Sequence, residues 1–460
     1  DHRDLHKEYR RQRQMCIRDS PRLITGQATY TDDVKLVGMA YAAILRSPHP
    51  HAQIRSVDGS TAESMPGVVA VYTGADTDGV LNPMPCAWVV PDSDVKAVAY
   101  PPMAKDVVRY TGDAVAVVVA ESREQAEDAL EAINVNYQVL PSVTSPEEAT
   151  QQGAPQLHDD APGNQAFHWV VSGGDTDAAF QSPEVLVKDT ILQQRLIPNA
   201  METRSAVASY ASAMGDLTLW STTQNPHIAR FLCSLVTGLG EHKIRVIAPE
   251  VGGGFGSKIP MYPSEMIAVF CSMKLGRPVK WTESRTENYQ ATTHGRDHIE
   301  YVEMAATREG KITGLRTVVY AGMGAYLSTA APGIATILHG LMYSGPYEIP
   351  AIRGDVYGVF TNTTPVDAYR GAGRPEATFL IERLVDMLAT ELGRDPVEIR
   401  RRNLIPKFDN GHDVATGLTY DSGDYELALD TALNHVNYHE LRPVSYTNLR
   451  AHETRHDIVC

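Results

Sequence analysis

The most unusual stretch of this chain is Val251-Gly-Gly-Gly-Phe-Gly-Ser-Lys258, with four glycines in the five positions 252–256. A backbone without Cβ atoms can approach a bound group closely, and its successive N–H donors suit anionic oxygens. A second loop, Ala368-Tyr-Arg-Gly-Ala-Gly-Arg-Pro-Glu376, is also glycine-rich, and Arg370 and Arg374 in it suit an anion clamp. A third, Thr222-Thr-Gln-Asn-Pro-His227, places the amide of Gln224 just before a helix start. Taken singly, each has a plain structural account: a tight turn, a surface loop with solvated arginines, a cap neighbour. Nucleotide loops fit badly. A Walker A loop needs Gly before its Lys and Ser or Thr after, whereas Ser257 precedes Lys258 and Ile259 follows; the dinucleotide G-x-G-x-x-G pattern fails at Ser257.

All three loops precede a helix signal, which would add the positive end of a helix dipole. Pro226 follows a cap-type Asn225, a strand is expected over 243–248, and a helix over 263–275 starts at Pro263 and stops at Gly276. A strand follows at 278–283, then a hairpin pairs 298–307 with 311–320 about Glu309-Gly310. Helices are expected over 375–392 and 396–403, and another begins at Tyr425. Nearer the start, the apolar run 114–120 reads as a buried strand, Ser122 caps a helix, and a second strand runs over 134–140. Strand, helix, strand in that order gives a βαβ-like or split α+β unit. Residues 142–165 are rich in Ser, Pro, Gly, Gln and acids, the composition of a linker.

The 460 residues are 43% hydrophobic and 21% charged, an ordinary globular composition that excludes a disordered or fibrous chain. A net charge of −15 argues against nucleic-acid and anionic-membrane partners, which need clustered Lys and Arg. The apolar run 114–120, seven residues, is far short of the roughly 20 a membrane helix needs. The five cysteines (Cys16, Cys86, Cys233, Cys271, Cys460) include no C-x-x-C pair. That suits a reducing, cytoplasmic setting and argues against a zinc or iron–sulfur site built from this chain alone, so no residue here is expected to ligate a metal directly.

Together, in order and spacing, the three loops resemble the large subunit of the molybdenum hydroxylases, the xanthine dehydrogenase, aldehyde oxidase and aerobic carbon monoxide dehydrogenase family. Gly26-Gln-Ala-Thr-Tyr-Thr-Asp32, Arg46-Ser-Pro-His-Pro-His-Ala52, Gly276-Arg-Pro-Val-Lys280 and Arg401-Arg-Asn-Leu404 carry the same resemblance. It implies an α+β fold: a small hammerhead-like α/β domain over 21–141, the linker 142–165, a first molybdopterin-binding domain over 166–406, and the start of a second over 407–443. It also implies a molybdopterin cofactor with molybdenum, in the cytosine dinucleotide form. Gly253 would contact the cofactor, and Gly254, Phe255 and Gly256 would lie along the metal's apical side. Gln224 would hydrogen-bond an oxygen on molybdenum, and Ala368, Tyr369, Arg370 and Gly371 would contact the cofactor and face the substrate. Electrons would leave through an iron–sulfur small subunit and an FAD-binding medium subunit, the whole a dimer of heterotrimers.

The loop 252–263 and Val279-Lys-Trp281 look most like the carbon monoxide dehydrogenase branch, in its AYRGAGR type. The copper-carrying form of that branch has a cysteine directly after the loop arginine, where Gly371 stands here. Ile259 likewise stands where purine-oxidising members carry a glutamate. An aldehyde or N-heterocycle is therefore the expected substrate. Carbon monoxide oxidation and a non-catalytic cofactor-binding paralogue remain as alternatives. The ends, 1–20 and 444–460, lack any helical or strand period and resemble translated sequencing read-through. The family's general-base glutamate is expected beyond residue 443, so that the chain by itself would be inactive.

Overall fold

A computed structural model describes residues 21–88 and 90–442. The two ends, 1–20 and 444–460, lie outside the described residues. Seven strands form one sheet in the order Ile244–Ile247, Asp216–Ser221, Ser205–Ala211, Val279–Thr282, Ala40–Arg46, Ala114–Ala120, Val68–Thr73. The middle pairing, Ala40–Arg46 with Val279–Thr282, is parallel and joins strands from either side of 142–165 into a single sheet.

The Ala114–Ala120 strand is buried along its whole length because both its faces are covered. Val117 and Val119 join the core containing the Pro263–Leu275 helix, while Ala116 and Val118 face Ala126 and Ala129 on the opposite side. Ser122 caps the Arg123–Leu130 helix, its hydroxyl accepting from Gln125 N–H at 3.3 Å. The Asn134–Val139 strand that follows does not return to this sheet. It pairs antiparallel with Ala52–Asp58 in a separate three-stranded sheet, so the unit is the split α+β form and not a parallel βαβ crossover.

A five-stranded sheet runs Gln165–Gly173, Ile352–Phe360, Ile312–Gly324, His298–Ala306, Val185–Gln193. Its central hairpin pairs His298–Ala306 with Ile312–Gly324, close to the expected strands. The Arg374–Glu391 and Pro396–Asn403 helices contribute Leu380, Leu384, Leu388 and Ile399 to the core beneath it. The segment 142–165 is packed and is not a linker in the physical sense. Val143, Leu157 and Ala161 are buried in the same core, and the Asn164 amide donates to the Ala149 and Pro155 carbonyls while accepting from Leu157 N–H. Few apolar residues suffice there because nearly all of them are buried and one amide closes the turn.

Two features bring the loops together. Asp216–Ser221 and Ile244–Ile247 are neighbouring parallel strands, so the segments that follow them emerge from the same edge of the sheet. The Pro226–Thr237 and Pro263–Leu275 helices then leave that edge, each ended by a left-handed glycine, Gly238 at φ 72° and Gly276 at φ 63°.

Candidate functional site

Gln224 sits between the Asp216–Ser221 strand and the Pro226–Thr237 helix. Its backbone N–H donates to the Lys258 carbonyl at 2.8 Å. Its side-chain Oε1 accepts from Gly256 N–H at 3.0 Å and Lys258 N–H at 3.3 Å. Both lone-pair directions of the amide oxygen are thus occupied, so the amide is fixed with its NH2 end outward on an exposed residue. Gly254 makes this fit, since a Cβ there would strike Gln224 Oε1.

The arginine loop docks on the same glycine loop. Arg370 N–H donates to the Phe255 carbonyl at 2.8 Å. Gly256, at φ +102°, lies so close to the Ala368 carbonyl that a Cβ would overlap it. Gln224, Phe255–Gly256 and the Ala368–Gly371 segment therefore form one contiguous site. It is an open surface and not an enclosed cavity: Gln224, Phe255, Arg370 and Gly371 are all exposed, while Gly256 and Ala368 are buried beneath them. Phe255 holds φ +53° and Ala372 φ +42°, left-handed conformations uncommon away from glycine that cluster at functional sites.

Beneath the surface each loop has its own support, none of it marked in the sequence. Glu202 accepts from Gly252 N–H at 2.7 Å and from Lys258 Nζ at 2.9 Å through one oxygen, Oε2. Lys258, which stands where a phosphate-binding lysine would be sought, is instead turned inward. Burial lowers its pKa, the Glu202 carboxylate opposing that shift. Arg296 donates to the Tyr369 carbonyl at 3.2 Å and to the Arg370 carbonyl at 3.0 Å, and it pairs with the fully buried Glu376 at 3.2 Å. Asp367, also fully buried, accepts from Ala330 N–H and Ala368 N–H, and burial raises its pKa. Arg374 does not join Arg370 in a clamp. It turns onto the Ala372 carbonyl at 3.4 Å and lines a separate cleft with Tyr420 and Tyr425.

The helix-dipole expectation holds for only one of the three loops. Glu265 folds back to accept from Tyr262 N–H at 2.9 Å and pairs with the buried Arg204, so the Pro263–Leu275 helix has its positive end occupied internally. Glu376 occupies the first turn of the Arg374–Glu391 helix. The Pro226–Thr237 helix has no acid in its first turn and no side-chain cap.

The family model for the molybdopterin cofactor-binding domain matches residues 157–404, and that for the aldehyde oxidase and xanthine dehydrogenase a/b hammerhead domain matches 25–141. The carbon monoxide dehydrogenase large chain of Hydrogenophaga pseudoflava is 40% identical over 92% of this chain and 54% of its own length, so the chain spans about half of such a relative. Among solved structures, a Cu,Mo-CO dehydrogenase superimposes with a TM-score of 0.87 at 37% identity, covering 95% of this chain and 56% of that one. Quinoline 2-oxidoreductase from Pseudomonas putida 86 does so at 0.89 and 34%, covering 94% and 55%. With that fold, and with more than half of its length matching the cofactor-binding domain, the chain belongs to the xanthine dehydrogenase family of molybdenum hydroxylases, in the part formed by their molybdopterin-binding large subunits.

Proposed function

We propose that Gln224, Gly253–Gly256 and Ala368–Gly371 hold a molybdopterin cofactor, in its cytosine dinucleotide form, within a cytoplasmic enzyme that oxidises an aldehyde or N-heterocycle with water as oxygen donor. The observation that carries this reading is the locked Gln224 amide. Two backbone N–H groups hold its oxygen, so only its NH2 end is left to donate toward a ligand. The chain's residues fit a polyanionic pterin: Gly253, Gly254 and Gly256 keep the loop backbone bare, and the first turn of the Pro226–Thr237 helix carries no competing acid. When bound, the molybdenum cofactor supplies the activated water oxygen and the two-electron acceptor. This chain's residues bind and orient it, with Gln224 Nε2–H as the polarising donor and the Arg370 loop as the wall facing substrate. The general base lies in the portion of the longer protein beyond residue 443, and iron–sulfur and FAD-binding subunits take the electrons, in a dimer of heterotrimers. The exposed stripe Ile228, Phe231 and Leu235, beside Gln224 on one face of its helix, supports a site completed by further protein.

Carbon monoxide oxidation is the second reading, favoured by the 40% identity to a carbon monoxide dehydrogenase large chain. Gly371 weighs against it. It holds φ +96°, and a Cβ would lie 2.5 Å from Pro375 Cγ, so a cysteine able to hold Cu(I) would be strained here and would need the loop to shift. Cys233, a thiol pushed by burial to about 12, does not adjoin this loop in sequence, whereas Cys86, pushed by burial to about 11, lies near enough to Asp367 for that carboxylate to add to the rise. The test is metal analysis of the protein made in a host that supplies the cofactor. Molybdenum with no matching copper is expected, and Gly254→Val should abolish its retention because the added side chain strikes Gln224. Copper equal to molybdenum would turn the reading to carbon monoxide; a folded full-length protein free of molybdenum would favour the non-catalytic paralogue.

A further inference from the structure

Below the arginine loop, three side chains able to ligate a metal converge in the core, away from the site above. His298 and Glu300 are two apart on the His298–Ala306 strand and so project to the same face. His339 reaches them from the short Ile337–Gly340 helix. All three are buried, at 1%, 0% and 0% exposure. Glu300 Oε1 lies 3.1 Å from His298 Nδ1 and 3.2 Å from His339 Nε2, and the two imidazole centroids are 5.0 Å apart. Bonds of about 2.0–2.1 Å at a tetrahedral angle put ligand atoms about 3.3 Å apart and the centroids of two ligating imidazoles about 5 Å apart.

The second ring sits ready for a ligand. His339 Nε2 is buried and faces Glu300 Oε1 at 3.2 Å, poorly aligned for a hydrogen bond. A ring nitrogen so placed is satisfied either by a proton shared with Glu300 or by a cation between the two. The outward atoms of Glu300 and His339 are already engaged. Glu300 Oε2 accepts from Gln193 Nε2 at 3.3 Å, Gln193 also donates to the Glu376 carbonyl at 3.1 Å, and the Tyr343 hydroxyl lies 3.4 Å from His339 Nδ1. Partners of this kind orient metal ligands from behind.

We propose that His298 Nδ1, Glu300 Oε1 and His339 Nε2 bind one divalent cation of the zinc class, with a water as its fourth ligand, an ion distinct from the molybdenum of the proposed cofactor. Two neutral imidazoles and one carboxylate suit zinc; calcium and magnesium favour all-oxygen shells. Being fully enclosed, the ion enters as the chain folds and ties the His298–Ala306 strand to the 331–340 segment. The rival occupant is a proton on one of the histidines.

The experiment uses the full chain, produced in zinc-supplemented medium and desalted, with zinc counted by mass spectrometry. About one zinc per chain is expected. Unfolding the chain with 1,10-phenanthroline present and refolding it without metal should lower the thermal midpoint, and refolding with zinc, not magnesium, should restore it. His339→Gln, checked for folding by circular dichroism, should lose the zinc. Should that variant fail to fold, X-ray absorption at the zinc edge of the wild-type chain decides, with two imidazoles and one carboxylate oxygen expected. Under about one zinc in ten folded chains, or zinc that a chelator strips with no change in midpoint, overturns the proposal and leaves the proton as the occupant. The zinc count is read whether or not molybdenum is bound, so this proposal and the cofactor reading fail separately.

Discussion

The glycine loop (252–258) and the arginine loop (368–374) meet through one hydrogen bond, Arg370 N–H to the Phe255 carbonyl, yet they are held by different means. The glycine loop rests on groups near the surface: the exposed Gln224 amide, and Glu202, whose side chain is 17% exposed where it meets Lys258. The arginine loop is held from the interior by Arg296 and Glu376, at 10% and 0% exposure, and by Asp367. Glycine-rich signatures of equal prominence thus cover a loop braced near the surface and one braced from the interior.

Arg296→Met tests the anchored side and should have the largest effect on stability. It leaves the Glu376 charge buried without its partner, which costs about 3–5 kcal/mol in denaturant unfolding. Lys258→Met, the matching change under the glycine loop, should cost about 2 kcal/mol, because water can still reach Glu202. Equal losses would erase the distinction between the loops. Between these two in size is Gly256→Ala, which attacks the contact between the loops. Its Cβ meets the Ala368 carbonyl, a backbone atom that cannot swing aside, at a φ of +102°. A loss of about 3 kcal/mol in thermal or denaturant unfolding is expected.

What the sequence made legible follows from local physics. The Pro263–Leu275 helix carries its own start and stop in Pro263 and Gly276, and the Ala114–Ala120 strand its own unbroken apolar run. The three loops stood out through their glycines and Gln224, and those residues do meet. What could not be read depends on partners far along the chain. Glu202 lies 56 residues from Lys258, and Arg296 lies 80 from Glu376; no local pattern marks either pair. Composition alone made 142–165 look like a linker, because burial of Val143, Leu157 and Ala161 depends on a sheet formed elsewhere. Strand, helix, strand spacing likewise could not tell that Ala114–Ala120 and Asn134–Val139 enter different sheets.

A pH titration sharpens the comparison on the anchored side. His294 N–H donates to the Pro365 carbonyl, and Asp367 N–H donates to the His294 carbonyl, tying this residue to the start of the arginine loop. Burial, with Arg195 nearby, lowers the His294 pKa to about 4. The unfolded chain takes up this proton near pH 6.5 and the folded chain only near 4, so acid favours unfolding across that window. Between pH 6.5 and 4.5 His294 should remove about 2 kcal/mol of stability. Asp113, raised by burial to about 7, acts oppositely by holding its proton in the folded state while the unfolded chain releases it. His158, also lowered by burial to about 4, adds an acid loss of its own, so the wild-type slope mixes several groups, and the difference between wild type and His294→Gln isolates His294. A variant that loses stability in acid as steeply as the wild type would remove His294 from this account.

Gln224→Ala should have the smallest effect on folding and bears most directly on the glycine loop. The change frees Gly256 N–H and Lys258 N–H from Oε1, but Gln224 is exposed and water can reach the vacated position. The expected loss is about 1 kcal/mol or less in chemical unfolding. The functional effect should run the other way. Without the side chain no oriented Nε2–H remains to polarise a bound oxygen, and removing a donor of that kind costs about 10²–10³ in rate. The measurement pairs denaturant unfolding with turnover of the full-length, molybdenum-loaded protein. Near-native stability with a rate reduced by that factor places Gln224 in the site as a donor. Unfolding losses as large as those of Arg296→Met would instead make Gln224 a structural support, and the contrast between the two loops would disappear.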